Sequence, residues 1–268
     1  VPFATLPESP LAPGPGRAEI HYREHGLGPA VVLLHGGWGY EAYPFDAQVD
    51  ALAGSHRVLA PDRTGYGRSG RLRELPDGFH RPMAEETIRL LDALAVERAA
   101  LWGHSDGAVV AAWAAILFPD RVAAVILEAF HFWKAKPRSL EFFRTGSGAP
   151  ERFGEEIRLA LVRDHGEADW RGVVGMGARA WLRIIGEGMR DGADLFGGRL
   201  GEIACPTLVV HGTRDPRTEP GEIEAAARAL PAARVRPLEA GHSPHTSATS
   251  GEACTRLAVE FLREFHRR

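Results

Sequence analysis

The sequence predicts an α/β fold: a mostly parallel central sheet of about eight strands flanked by helices, with a helical cap inserted after the sixth strand. Three observations predict it. Short apolar runs rich in Val, Leu and Ile recur along the chain, as strands buried on both faces require. Segments of helical length lie between them. Polar, chemistry-bearing residues follow several of the runs directly, where an open α/β sheet places its loops.

The first sixteen residues are rich in Pro, Gly and Ala and read as extended chain. RAEIHYREHG (17–26) alternates polar and apolar residues, as an antiparallel hairpin strand does. AVVLLHG (30–36), HRVLAPD (56–62), AALWGHS (99–105), AAVILEA (123–129) and TLVVHG (207–212) read as buried parallel strands, and ARVRPLEA (233–240) as the last strand. Helices are expected at 80–96, 106–118, 221–229 and 250–266.

Residues 131–200 break this rhythm. They carry many charges, and Val174, Ala178, Trp181 and Ile185 form a stripe at helical spacing. They are assigned to a helical cap, and residues 1–130 and 201–268 to the core.

Composition narrows the function classes. With 44% hydrophobic and 25% charged residues, the 268-residue chain can bury a core without disulfides or a metal. A net charge of −3 supplies no basic field, so no nucleic-acid partner is expected. No apolar run approaches a membrane span, and no basic leader with an apolar core opens the sequence, so a cytoplasmic location is expected. Cys205 and Cys254 read as small apolar residues, and the twelve histidines show no zinc-ligand spacing. Neither a metal nor a cofactor is expected. Nothing in the sequence bears on oligomeric state.

The chemistry concentrates in Gly103-His104-Ser105-Asp106-Gly107, a G-x-S-x-G turn between a strand and a helix. Such a turn strains the serine backbone and lifts its hydroxyl above the sheet. A serine hydroxyl needs a base to take its proton, and the base needs an orienting acid. Asp215 follows TLVVHG and His242 follows ARVRPLEA, both at strand ends, and the chain order Ser, Asp, His is the one this architecture uses. Glu128, ending another strand, is the rival to Asp215. Gly65 to Gly70 match G-x-G-x-x-G literally, but Pro76 and Gly78 break any helix that would open there, so a structural turn is preferred to a nucleotide site. His35, His104 and His245 read as packing or solvated residues.

Four blocks carry a family resemblance: HGGWG (35–39), PDRTGYGRSG (61–70), GHSDG (103–107) and the HGTRDP with GHSPH pair (211–216, 241–245). With them the chain resembles the α/β-hydrolase fold superfamily over nearly its full length. The resemblance implies a Ser105, His242, Asp215 triad. It also implies an oxyanion hole made by the amide of Gly37 or Trp38 together with that of Asp106, and a structural role for the second block. Asp106 has two readings. As a carboxylate in the first turn of a helix it is stabilised by the macrodipole, the preferred role. In relatives of the valacyclovir-hydrolase type an aspartate after the nucleophile meets a substrate ammonium. Trp38, Trp133, Trp170 and Trp181 are candidates to line an apolar substrate pocket, with Trp38, Trp133 and Trp181 foremost.

The expected activity is hydrolysis of a small carboxylic ester, lactone or amino-acid-ester-like substrate through an acyl-enzyme. Relatives that hydrolyse C–C bonds of 1,3-dicarbonyl or ring-fission products keep the same triad, and cofactor-independent peroxidation of carboxylates is a lesser alternative. A small-molecule receptor retaining the fold is the alternative from another class. Aspartate nucleophiles of the dehalogenase or epoxide-hydrolase kind are excluded, because Ser105 holds the central place of the turn.

Overall fold

The apolar runs become the middle of the sheet. In the computed structural model, which describes residues 2–11 and 17–265, eight strands are joined in one sheet: β1 (Phe3–Leu6), β2 (Ala18–His25), β3 (Ala30–Leu34), β4 (Arg57–Pro61), β5 (Ala99–His104), β6 (Val122–Glu128), β7 (Thr207–Gly212) and β8 (Arg234–Leu238). Every residue of β3, β5 and β7 is buried, which explains their unbroken apolar character.

The spatial order is β1-β2-β4-β3-β5-β6-β7-β8. β2 pairs antiparallel with β1 and β4; the other neighbours are parallel. β8, with Pro237, lies at an edge, where a missing N–H is tolerated. The Pro-rich N-terminal stretch, expected only to be extended, contributes β1. Its residues 12–16 lie outside the described part.

Helices α1 (Asp46–Leu52) and α8 (Gly251–Phe265) pack on one face of the sheet, and α2 (His80–Ala93) and α3 (Asp106–Leu117) on the other. α7 (Glu222–Ala229) joins β7 to β8. The predicted helices appear with ends one to three residues shorter, residue 266 lying outside the described part, and α1 is an addition. The final stretch between β6 and β7 holds α4 (Leu140–Gly148), α5 (Glu155–His165) and α6 (Trp170–Asp191). The predicted stripe of Val174, Ala178, Trp181 and Ile185 is buried on α6. Among the described residues, no helix is long and apolar enough to cross a membrane.

The order of the strands decides where a ligand would sit. From β3 the chain moves outward to β4, then returns to the other side of β3 to form β5. The crevice beyond the C-terminal ends of β3 and β5 is therefore the switch point, the preferred ligand position of an open parallel sheet. His35 to Trp38 leave β3 there, and Ser105 leaves β5.

Candidate active site

Ser105 sits between β5 and α3 at φ 54° and ψ −118°, in a region that L-residues rarely occupy. The flanking glycines make this turn possible. A Cβ on Gly103 would lie 2.1 Å from the Gly107 carbonyl oxygen, and one on Gly107 would lie 2.0 Å from that of Leu34. The turn is held further by the Ser105 N–H, which donates to the Glu128 carbonyl at 2.9 Å.

The hydroxyl faces His242. Ser105 Oγ is 3.0 Å from His242 Nε2. On the far side of the ring, His242 Nδ1 is 2.8 Å from Asp215 Oδ2. The remaining Asp215 oxygen accepts the Arg217 N–H at 2.9 Å. The loops bearing the acid and the imidazole are in direct contact, since a Cβ on Gly212 would lie 1.9 Å from the Gly241 carbonyl. Burial pushes the Asp215 carboxyl up, but the His242 ring and the hydrogen bonds outweigh it and hold the group far below the ordinary range. Burial, then Arg217, draw His242 below its ordinary 6.5 against the opposing pull of Asp215. At neutral pH the ring is uncharged and able to accept a proton.

Glu128, the rival acid, faces elsewhere. Its Oε2 accepts Trp102 Nε1 at 2.9 Å, and its Oε1 accepts the His245 N–H at 2.9 Å and His245 Nδ1 at 2.7 Å. His245 Nε2 in turn meets the Tyr43 carbonyl at 3.1 Å. His104 Nε2 meets the His242 carbonyl and Ser243 Oγ. His104, Glu128 and His245 bring potential metal donors within 4.8 Å of one another. Both nitrogens of His245 and both oxygens of Glu128 already have partners, so this pair reads as a hydrogen-bonded support, while His104 Nδ1 has no partner among the described residues. His35 is likewise structural, bonded to the Gly36 carbonyl and the Arg63 N–H. Residues 65–70 form a turn closed by Gly65 N–H to the Gly70 carbonyl, with no helix opening until His80.

A cavity of about 30 Å³ lies against Ser105 and is lined in part by Gly37, Trp38, Asp106, Phe142, Trp181 and Arg217. The backbone N–H groups of Gly37, Trp38 and Asp106 meet no acceptor among the described residues. Asp106 is buried, and its Oδ1 accepts Trp181 Nε1 at 2.8 Å and His80 Nε2 at 3.2 Å. Its Oδ2 has no partner among the described residues. Burial raises the Asp106 carboxyl, yet His80, Arg63 and Trp181 together bring it below its ordinary value. Trp38 stacks on Phe142 and Tyr43.

Two tryptophans depart from expectation. Trp133 does not line the cavity: its N–H donates to Glu222 and its backbone bridges to Asp194. Trp170 packs in a separate cluster with Leu161 and Val174. The start of the helical insertion draws Trp133 away by pairing with the first residue of α7 and with the stretch just after α6.

Residues that sequence reasoning missed surround the site. His131 Nε2 lies 3.3 Å from Ser105 Oγ. Arg217 sits 3.9 Å from the Phe142 ring centre and 5.5 Å from that of Trp38, with no carboxylate partner among the described residues. Lys136 is buried and donates to both oxygens of Glu222 and to the Arg217 carbonyl. Glu222 also accepts the N–H groups of Phe132, Trp133 and Glu219. The signal for His131 was its place just beyond β6, the strand end that also carries Glu128.

Comparison with known proteins adds to this geometry. The model of the alpha/beta hydrolase family matches residues 31–253. The chain belongs to that family. Among curated relatives, it is similar to epoxide hydrolase A of Mycobacterium tuberculosis, 37% identical over 169 residues, which span 62% of this chain and 50% of that one. It is also similar to the magnesium-chelatase 30 kDa subunit of Rhodobacter capsulatus, 28% identical over 84% of each chain. The first three curated relatives are matched over only 43%, 32% and 50% of their length. Among solved structures, a thermophilic esterase from Thermogutta terrifontis, with malate bound, aligns with a TM-score of 0.72 at 26% identity. That alignment covers 99% of this alpha/beta hydrolase family chain and 100% of the esterase.

Proposed function

We infer that the protein is a serine hydrolase that cleaves a small carboxylic ester or lactone through an acyl-enzyme. The observation that carries this reading is the continuous path from Asp215 through His242 to Ser105, with spacings of 2.8 and 3.0 Å. In this reading His242 Nε2 takes the Ser105 proton as Oγ attacks the substrate carbonyl, and Asp215 holds the imidazolium that forms. The unengaged amides of Asp106 and of Gly37 or Trp38 stabilise the oxyanion. His242 then passes its proton to the leaving oxygen. Water, deprotonated by the same ring, releases the acid and restores Ser105. Residues 131–200 act as a cap that closes over the site.

Chemistry separates this reading from epoxide opening. A carboxylate attacking an epoxide forms an ester that water can hydrolyse. A serine would form an ether, and the enzyme would stop after one turnover. C–C bond hydrolysis uses the same triad and is the second reading, supported by the shared geometry at Ser105.

Arg217 points to the acyl part of the substrate. It is a cation at the cavity with no carboxylate partner among the described residues, so a substrate carboxylate would supply one. Asp106 Oδ1 already has two donors, which supports its structural role, while its unpartnered Oδ2 is the atom a substrate ammonium would meet.

A panel of p-nitrophenyl acetate, p-nitrophenyl hemisuccinate and a free-amine aminoacyl ester with its N-acetylated twin tests these points. Hemisuccinate is expected to be the preferred ester, and Arg217→Gln to raise its KM roughly fivefold while acetate stays within about twofold. A free-amine preference that vanishes in Asp106→Asn would instead make Asp106 the recognition residue. No turnover of any ester, with dienoate ring-fission products cleaved, would favour the second reading.

The pH profile follows from His242. The base works only when unprotonated, and its pKa lies below the ordinary 6.5. Acidification should therefore leave kcat/KM for p-nitrophenyl acetate more than half its plateau at pH 6.5, the loss falling at lower pH. An acid limb centred above pH 6.5 would contradict the burial of this ring as the controlling influence.

A further inference from the structure

We propose that His131 is a second catalytic histidine, whose Nε2–H donates to Ser105 Oγ and assists the departure of that oxygen when the acyl-enzyme breaks down. The proposal rests on Ser105 being the nucleophile.

The proton inventory around Ser105 Oγ fixes the direction of the bond. Two ring nitrogens approach the oxygen, His242 Nε2 at 3.0 Å and His131 Nε2 at 3.3 Å. A hydroxyl has one proton to give. His242 is the stronger claimant, because Asp215 backs its other nitrogen at 2.8 Å. His131 has no such support: its Nδ1 is buried and has no partner among the described residues. A proton placed on Nδ1 would be an orphaned buried donor, the costlier of the two arrangements. The proton therefore sits on Nε2, and the bond runs from His131 to Oγ.

Burial, reinforced by Lys136, His242 and Arg217, keeps the His131 ring neutral. Packing fixes its position. The ring stacks on His242, with centres 5.5 Å apart and planes at 19°, and meets Trp181 edge-on at 5.2 Å. That packing holds the ring with Nε2 toward Ser105 Oγ.

A donor fixed on Oγ affects the two halves of the reaction differently. In acylation Oγ is the attacking atom, and a donor on its lone pair makes it slightly less nucleophilic. In deacylation water attacks the acyl carbon and gives a proton to His242. The C–Oγ bond then breaks, and His242 returns the proton to Oγ. Negative charge grows on Oγ as that bond lengthens, and the His131 N–H stabilises it there. His131 loses no proton in the cycle. The hydrogen bond, long in the resting state, strengthens when the charge appears.

Stopped-flow hydrolysis of p-nitrophenyl acetate separates the two steps. His131→Phe keeps an aromatic ring against His242 and Trp181 but has no donor. The steady-state rate is expected to fall roughly tenfold, the burst to approach one p-nitrophenolate per enzyme, and the burst rate constant to stay within about twofold of wild type or rise. His131→Gln, which keeps an N–H donor, is expected to recover at least half of the lost steady-state rate, and it carries the test should the Phe variant fold poorly. Equal losses in both steps for both variants would mean that His131 only supports the site. Rates unchanged in both steps would make it a spectator, and either result overturns the proposal. If wild type itself acylates no faster than Ser105→Ala, the nucleophile assignment falls, and this proposal with it.

Discussion

Ser105→Ala lowers kcat/KM for the best ester by roughly 10⁴-fold or more while leaving the melting temperature nearly unchanged. The alanine keeps the Cβ and removes only the oxygen that lies 3.0 Å from His242. It loses no packing, because the hydroxyl's contacts are the two histidines and the cavity. What remains is the modest acceleration that free amides and binding supply without a nucleophile. His242→Ala is expected to match it in magnitude, and the double variant to be no worse than either, since the two residues act in one step. Asp215→Asn should cost roughly 10⁴-fold for a different reason: the amide can donate toward Nδ1 and select the wrong tautomer. Initial-rate kinetics on purified variants decide the matter. A Ser105→Ala enzyme keeping more than about a tenth of wild-type activity would end the acyl-enzyme reading.

Glu128→Ala is expected to destabilise the fold by about 3–5 kcal/mol without a direct part in the chemistry. The side chain is fully buried, and its two oxygens accept three donors: Trp102 Nε1, the His245 N–H and His245 Nδ1. Removing the carboxylate orphans all three at once and leaves a void beneath the sheet. For a chain of this size the change corresponds to a melting temperature lower by roughly 6–20 °C. Urea or thermal denaturation reads it directly, and a loss under about 1 kcal/mol would mean that the network relaxes freely or that water replaces the carboxylate.

The pH dependence has a definite sign. Burial raises the Glu128 carboxyl, but His245 and the other donors bring it from 4.5 to about 2. The ionised group therefore contributes its full stabilisation above the unfolded value of 4.5, and loses it as pH falls toward 2. Wild type should lose stability across that window more steeply than Glu128→Ala.

Much of the scaffold could be read from the chain alone because its central strands are buried on both faces. Runs such as AVVLL and TLVVHG have no other comfortable place in a folded protein. The turn at Ser105 was legible for a similar reason, since two backbones pass so closely that only glycine fits on either side. The β1 strand was not, because FATL has little periodicity and becomes a strand only by pairing with β2. The helices α4 and α5 were read only as part of a helical region.

Side-chain direction was the harder limit at the site. Glu128 and His131 stand three residues apart at one strand end, with Ala129 between them at a positive φ of 49°. One side chain turns to the Trp102 face, and the other to Ser105. Spacing alone cannot tell which goes where. Trp133 failed as a pocket residue on the same ground, because its backbone is committed to Glu222 and Asp194.

The buried Lys136 and Glu222 belong to segments 86 positions apart in the chain. Their partnership sets the boundary at which this protein can be recombined. A chimera that takes residues 131–200 from a relative lacking the lysine leaves Glu222 a buried anion without its cation, held by backbone N–H groups alone, beside the very loop that presents Asp215 and Arg217. Transplanting residues 213–222 alone risks the mirror failure. The natural cassette for exchange, by design or in evolution, is the helical insertion together with the loop after β7, inherited as one piece.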